Sequence, residues 1–125
     1  MRFVIPGNQN DPRGNPLAYY RMTQRSKFAD PRAVKYHAWC NYVRDCAQVG
    51  GLKSDSIKKG PKMIAGMKKS TLNIMIYFKN RHHADPSNVF KGVEDALYDL
   101  DKYVRGSFDF DYDPKKPRVE AEVLR

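Results

Sequence analysis

Between residues 70 and 97 the apolar residues change their spacing, and that change constrains the fold more than any other feature. In STLNIMIYF, residues 70–78, Leu72, Ile74, Ile76 and Phe78 recur at every second position. That is the period of a strand with a buried face. The segment is apolar enough on both faces to be a central strand. Six residues later the spacing becomes helical. Val89, Val93, Ala96, Leu97 and Leu100 line one side of DPSNVFKGVEDALYDL. Asp85 is a natural N-cap and Pro86 suits the first helical position, where its missing N–H has no partner to lose.

The flanking segments extend the pattern. RFVI, residues 2–5, is a short first strand stopped by Pro6-Gly7. Residues 6–29, rich in Asn, Pro, Gly and Arg, read as a long loop or a loop with a short hairpin. A loop of that length in a small domain tends to be functional. DPRAVKYHAWCNYVRDCAQVGG predicts a helix capped by Asp30 and ended by Gly50-Gly51. Its apolar face is expected at Val34, Ala38, Trp39, Tyr42, Val43 and Cys46. Residues 52–70 form a lysine-rich connection, with a strand starting near Met63. In KYVRGSFDFDYD, Val104, Phe108, Phe110 and Tyr112 alternate with Arg105, Ser107, Asp109 and Asp111. A turn at Asp113-Pro114 and Pro117 precedes a last strand with Val119, Ala121 and Val123 facing in. The order predicts a single α/β (α+β) domain over residues 1–125, with a small mixed sheet flanked by two main helices. Its last two strands are expected to form a hairpin.

With 125 residues, the chain suits one domain with a real core. No apolar run approaches the ~20 residues of a membrane helix, and the N-terminus lacks the pattern of a secretory signal. A cytoplasmic protein is expected. Cys40 and Cys46 lie six residues apart on one predicted helix, a rise of about 9 Å, which is beyond disulfide reach. They are expected to be reduced. Charge is more informative. Lys and Arg number 23 against 14 Asp and Glu, a net +9. A small basic domain suits a polyanion, nucleic acid first. Arg13, Arg21, Arg25 and Lys27 carry the excess early in the chain, and Lys58, Lys59, Lys62, Lys68 and Lys69 in the middle. The acids collect around residues 85–113.

Asp85, Ser87, Asn88 and Lys91 sit at the strand-to-helix junction, which reads either as a capped helix start or as a site. Asp85 alone is accounted for by capping. Lys91 lies about one and a half turns into the helix, four residues after Ser87 and on the same face. An acid able to hold Mg²⁺ beside a cation suits a phosphate. Asp101 follows the helix at a place where a turn aspartate and a catalytic acid are both reasonable. His82-His83 reads as ligands, as phosphate contacts or as plain polar surface, and His37 as exposed. AYYRMTQRSKF interleaves Tyr19, Tyr20 and Phe28 with cations, a pattern of base stacking and phosphate contact as well as of a half-buried hairpin. There is no Gly-rich phosphate loop and no Cys/His zinc set.

DPSNVFKGVEDAL after a strand, LDKYVRG after that, the early YYRMTQRSKFADPRAVKYHAW and the closing strand pair together resemble the RusA-type Holliday junction resolvases of phages and prophages. The resemblance spans nearly the whole chain, and the central block is its most specific part. It implies a homodimeric, Mg²⁺-dependent endonuclease acting in DNA recombination and repair, which nicks two strands of a four-way DNA junction. In the family, three aspartates hold the metal and a lysine assists. By position Asp85 matches the first aspartate, Asn88 the asparagine, Lys91 the lysine and Asp101 the later acid. Asp95 matches a helix aspartate expected to be structural. Ser87 stands where the family has a metal-binding aspartate. Either another acid such as Asp99 or Asp109 completes the site, or metal binding is weak, with Mn²⁺ favoured over Mg²⁺, or the protein binds branched DNA without cutting it.

Overall fold

The computed structural model describes residues 1–21, 30–51, 70–98 and 104–124. In chain order the elements are β1 (Arg2–Pro6), α1 (Pro31–Val49), β2 (Ser70–Phe78), α2 (Pro86–Leu97), β3 (Val104–Tyr112) and β4 (Arg118–Leu124). The fold is α+β, a four-stranded mixed sheet carrying two helices. The strand order is β1-β4-β2-β3. β2 is central as expected, parallel to β3 and antiparallel to β4, while β4 is also antiparallel to β1.

β3 and β4 therefore do not form the expected hairpin. β2 lies between them. The α2 crossover brings β3 alongside β2 in parallel, as a strand–helix–strand unit does. The chain then has to pass over the end of β2 to reach its other side. Residues 113–117 make that passage, pinned where Asp113 N–H donates to Phe78 O at 2.9 Å. Two strand spacings are about 10 Å, within reach of five residues.

The register puts one set of side chains on one face. Phe3 and Ile5 of β1, Val119 and Ala121 of β4, and Ile74 and Ile76 of β2 pair across the sheet and are buried. The helices cover this face, α1 over β1 and beside α2, and α2 over β2 and β3. Trp39 and Phe78 are the largest fully buried side chains, each contributing about 1.5–3 kcal/mol by leaving water. The opposite face carries Val4, Asn73, Met75, Tyr77, Glu120 and Glu122, half-buried or exposed.

α1 buries Ala33, Tyr36, Trp39, Cys40, Val43 and Ala47. This departs from the expected face. Val34 is 52% exposed, Ala38 is also exposed, and Tyr42 and Cys46 are half-buried. Small and apolar residues surround this helix on nearly every side, so the spacing does not choose a face. The choice falls to Tyr36, whose hydroxyl donates to Asp95 Oδ2 of α2 at 2.6 Å. His37, expected at the surface, is half-buried, and its Nε2 has no hydrogen-bond partner among the described residues. Both cysteines are free, as expected. α2 follows its predicted face through Leu97. Leu100 and the strand expected near Met63 lie outside the described residues. No helix among those residues is long and apolar enough to cross a membrane.

Candidate active site

The start of α2 is built on Asp85. Its carboxylate Oδ1 accepts the Ser87 backbone N–H at 2.9 Å and the Ser87 hydroxyl at 2.7 Å. Its backbone O accepts from Asn88 and Val89. The Ser87 hydroxyl, then the Ser87 N–H, hold the Asp85 carboxyl below the usual aspartate range. A carboxylate accepting such bonds is favoured in its charged form. Asp85 is thus an exposed, ionised carboxylate at neutral pH, with Oδ2 free of hydrogen bonds among the described residues.

The loop of residues 7–21 runs along α2 and completes the site. Tyr19 N–H donates to Asn88 O at 2.9 Å. The Lys91 ammonium stands 4.4 Å from the centroid of the Tyr19 ring, a cation–π contact that orients it while leaving the residue exposed. Gly92 permits the approach, since a Cβ there would lie 3.0 Å from Tyr19 N. Asn15 ties the loop to the strand end, accepting from Lys79 N–H at 2.6 Å and donating to His82 O at 3.1 Å.

Asp85, Ser87, Asn88 and Lys91 follow one another over the first turns of α2, with Ser87 bonded to Asp85 and Tyr19 touching both Asn88 and Lys91. Tyr19 is packed against Lys91 and edge-on to Tyr36 at 5.5 Å. Tyr20 donates its hydroxyl to Asp30 at 2.9 Å and lies under Arg32. Both tyrosines are engaged within the fold. Asp95 accepts a hydrogen bond from the Tyr36 hydroxyl. Arg13 and Arg21 are exposed. Asp99, Asp101, Arg25, Lys27, Lys58, Lys59, Lys62, Lys68 and Lys69 lie outside the described residues. Asp109 does not join Asp85. Its register partner is Met75, so it projects from the sheet face away from the helices.

His83, read from sequence as a ligand, a phosphate contact or polar surface, is instead half-buried in the fold. Its ring stacks on Phe78 at 3.7 Å, Nδ1 meets Ala84 O at 2.7 Å and Nε2 meets the Tyr112 hydroxyl at 2.9 Å. The ring locks the loop before Asp85 to the end of β3. A histidine two residues before an N-cap gives no sequence signal for such a role, because its partners come from another strand.

A hollow of about 490 Å³ lies on the open sheet face, bordered by Arg2, Val4, Met75, Glu120 and Glu122. It is remote from Asp85, and its carboxylates are engaged by Arg118 and Arg2. It does not suit a phosphodiester.

Among the described residues no three His, Cys, Asp or Glu side chains gather as metal ligands. Mg²⁺ is commonly held by only one or two carboxylates, with water and phosphate oxygens completing the octahedron. Asp85, with its free Oδ2, fits as one such carboxylate. No family model matches the chain, and no curated protein is significantly similar to it.

Proposed function

We propose that the protein is a cytoplasmic, Mg²⁺-dependent, structure-selective endonuclease that resolves four-way DNA junctions as a homodimer. The observation that carries this reading is Asp85, an ionised carboxylate at the head of α2 with an oriented Lys91 on the following turns. Asp85 and Asp101 are the proposed metal-holding residues. The metal would polarise the scissile phosphate and make an attacking water more acidic. Lys91 offsets the charge that develops on the phosphate or leaving oxygen. Asn88 sits one turn from both. Arg13, Arg21 and the basic segments with Arg25, Lys27, Lys58, Lys59, Lys62, Lys68 and Lys69 supply sequence-independent phosphate contacts.

Ser87 favours a second reading, a branched-DNA-binding protein without catalysis. Its hydroxyl and N–H both occupy Asp85 Oδ1 where the resembled family has a further acid. One experiment separates the two. Purified protein is incubated with a labelled four-way junction and a matching linear duplex, with and without Mg²⁺. The endonuclease reading expects paired nicks in the junction only with Mg²⁺, lost in Asp85→Asn while binding persists. Nicking unchanged in Asp85→Asn removes Asp85 from the site. Junction binding with no nicks establishes the second reading.

A further inference from the structure

We propose that the outer edge of β3 pairs antiparallel with the same edge of a second copy, about a two-fold axis at Phe108. This deepens the dimeric part of the function proposed above and rests on it, but none of the residues that carry it belongs to the catalytic set.

The first observation is the edge itself. β3 pairs with β2 on one side only, and among the described residues nothing pairs with its other side. It runs nine residues and contains no proline. A long, free, proline-less edge with apolar side chains invites another strand.

The second observation is a half-covered aromatic row. Phe108, Phe110 and Tyr112 share the helix-covered face with Ile74, Ile76 and Phe78, their register partners in β2. Those partners are 5%, 0% and 0% exposed, whereas the β3 residues are 42%, 42% and 41% exposed. α2 reaches β3 through Phe90, whose ring lies 5.7 Å from Phe108. The His83 ring lies 5.9 Å from Phe110 and 5.6 Å from Tyr112, and among the described residues no strand lies on the outer side of the row.

The third observation is charge register. With the axis at Phe108, Arg105 of each copy faces Asp111 of the other, Ser107 faces Asp109, and Phe108 faces itself. On the aromatic side Phe110 faces Gly106, where an aromatic ring covers the strand glycine. All nine residues pair, and in an antiparallel ladder alternate pairs exchange two hydrogen bonds, giving about eight to ten. Arg105 is exposed and has no carboxylate partner among the described residues. An axis at Asp109 would set Asp109 against itself. An axis at Ser107 would set Arg105 against Asp109 but shorten the ladder to residues 104–110 and leave Asp111 outside it. Opposite charges directly across a ladder stabilise it, and like charges oppose it.

The result is a continuous eight-stranded sheet with all four helices on one face. His83 ties the Asp85 loop to Tyr112, so the two sites lie toward opposite ends of the seam. The two Tyr112 residues stand about 26 Å apart along the strands, eight residues at ~3.3 Å each.

The test uses the full chain without DNA, by sedimentation velocity over a concentration series. Wild type is expected to dimerise. Arg105→Asp and Asp111→Arg should each raise the dimer dissociation constant about tenfold or more, and the double reversal should return it to within about threefold of wild type. In addition, Phe108→Cys should form a disulfide-linked dimer on oxidation, since facing Cα atoms in an antiparallel ladder lie about 4.5–5.5 Å apart. A wild-type monomer throughout the series, or a dimer insensitive to both single reversals, overturns the proposal. Failure of the double reversal to restore association overturns the Phe108 register. Junction nicking by a dimer indifferent to Arg105 and Asp111 would leave the nuclease reading standing and remove this one.

Discussion

The Tyr36–Asp95 hydrogen bond ties the two helices together, beside Arg44 donating to Ala96 O, and Tyr36→Phe tests how much it holds. The ring is 2% exposed, so the substitution removes only the hydroxyl and leaves packing intact. Burial, foremost, pushes the Tyr36 hydroxyl well above the ordinary tyrosine range, so it stays a donor at any working pH. A hydrogen bond to a charged group contributes about 1.5–3 kcal/mol. Asp95 is half-buried, so water can reach its carboxylate when the hydroxyl goes. The low end, about 1.5–2 kcal/mol, is therefore expected. Unfolding entropy of about 2.1 cal/mol/K per residue gives about 0.26 kcal/mol/K for this chain, hence a Tm lower by about 6–8 °C. Thermal unfolding followed by circular dichroism reads it. Paired measurements on Asp95→Ala and the double variant isolate the coupling, expected at about 1–2 kcal/mol. Tyr19 packs on the Tyr36 ring rather than its hydroxyl, so any junction cleavage at 25 °C should be unchanged in Tyr36→Phe. A Tm within 2 °C of wild type, or additive single variants, would refute the helix-clamp account.

Three further outcomes are expected. Ser87→Asp should lower the Mg²⁺ concentration needed for half-maximal cleavage, or create cleavage where there was none, because it adds a carboxylate beside Asp85 at a helix N-terminus; an equal or higher requirement in a Mg²⁺ titration refutes the missing-ligand idea. The Asp85 carboxyl should titrate below ordinary aspartate by NMR, and Ser87→Ala should raise it toward that range. Since the folded value is the depressed one, the Ser87–Asp85 contribution to stability is present above the ordinary aspartate range and lost as pH falls through the folded value; an Asp85 titration unmoved by Ser87→Ala would disprove the cause assigned. Junction affinity should fall with salt at a log–log slope of about −0.9 per phosphate contact, and Arg13→Ala with Arg21→Ala should make that slope shallower; binding indifferent to salt would reject the basic segments as the contact surface.

The amino-acid order by itself determined what depends on neighbours in sequence. The alternation through Leu72–Phe78, the Asp-Pro starts at Asp30 and Asp85, and the Gly50-Gly51 stop are local, and each element formed where they placed it. The succession of Asp85, Ser87, Asn88 and Lys91 along the first turns of one helix was legible for the same reason. Tertiary structure decided whatever needed a partner from another element. The face of α1 follows Tyr36 reaching Asp95, 59 residues away, which no period within α1 encodes. The place of β4 between β1 and β2 also lies outside any local pattern. A strand with one buried face reads the same whether its neighbour precedes it or comes from the far end of the chain. Tyr19 and His83 gained their roles in the same way, through Lys91 and Tyr112, because contacts between distant segments are set by how the helices and strands pack.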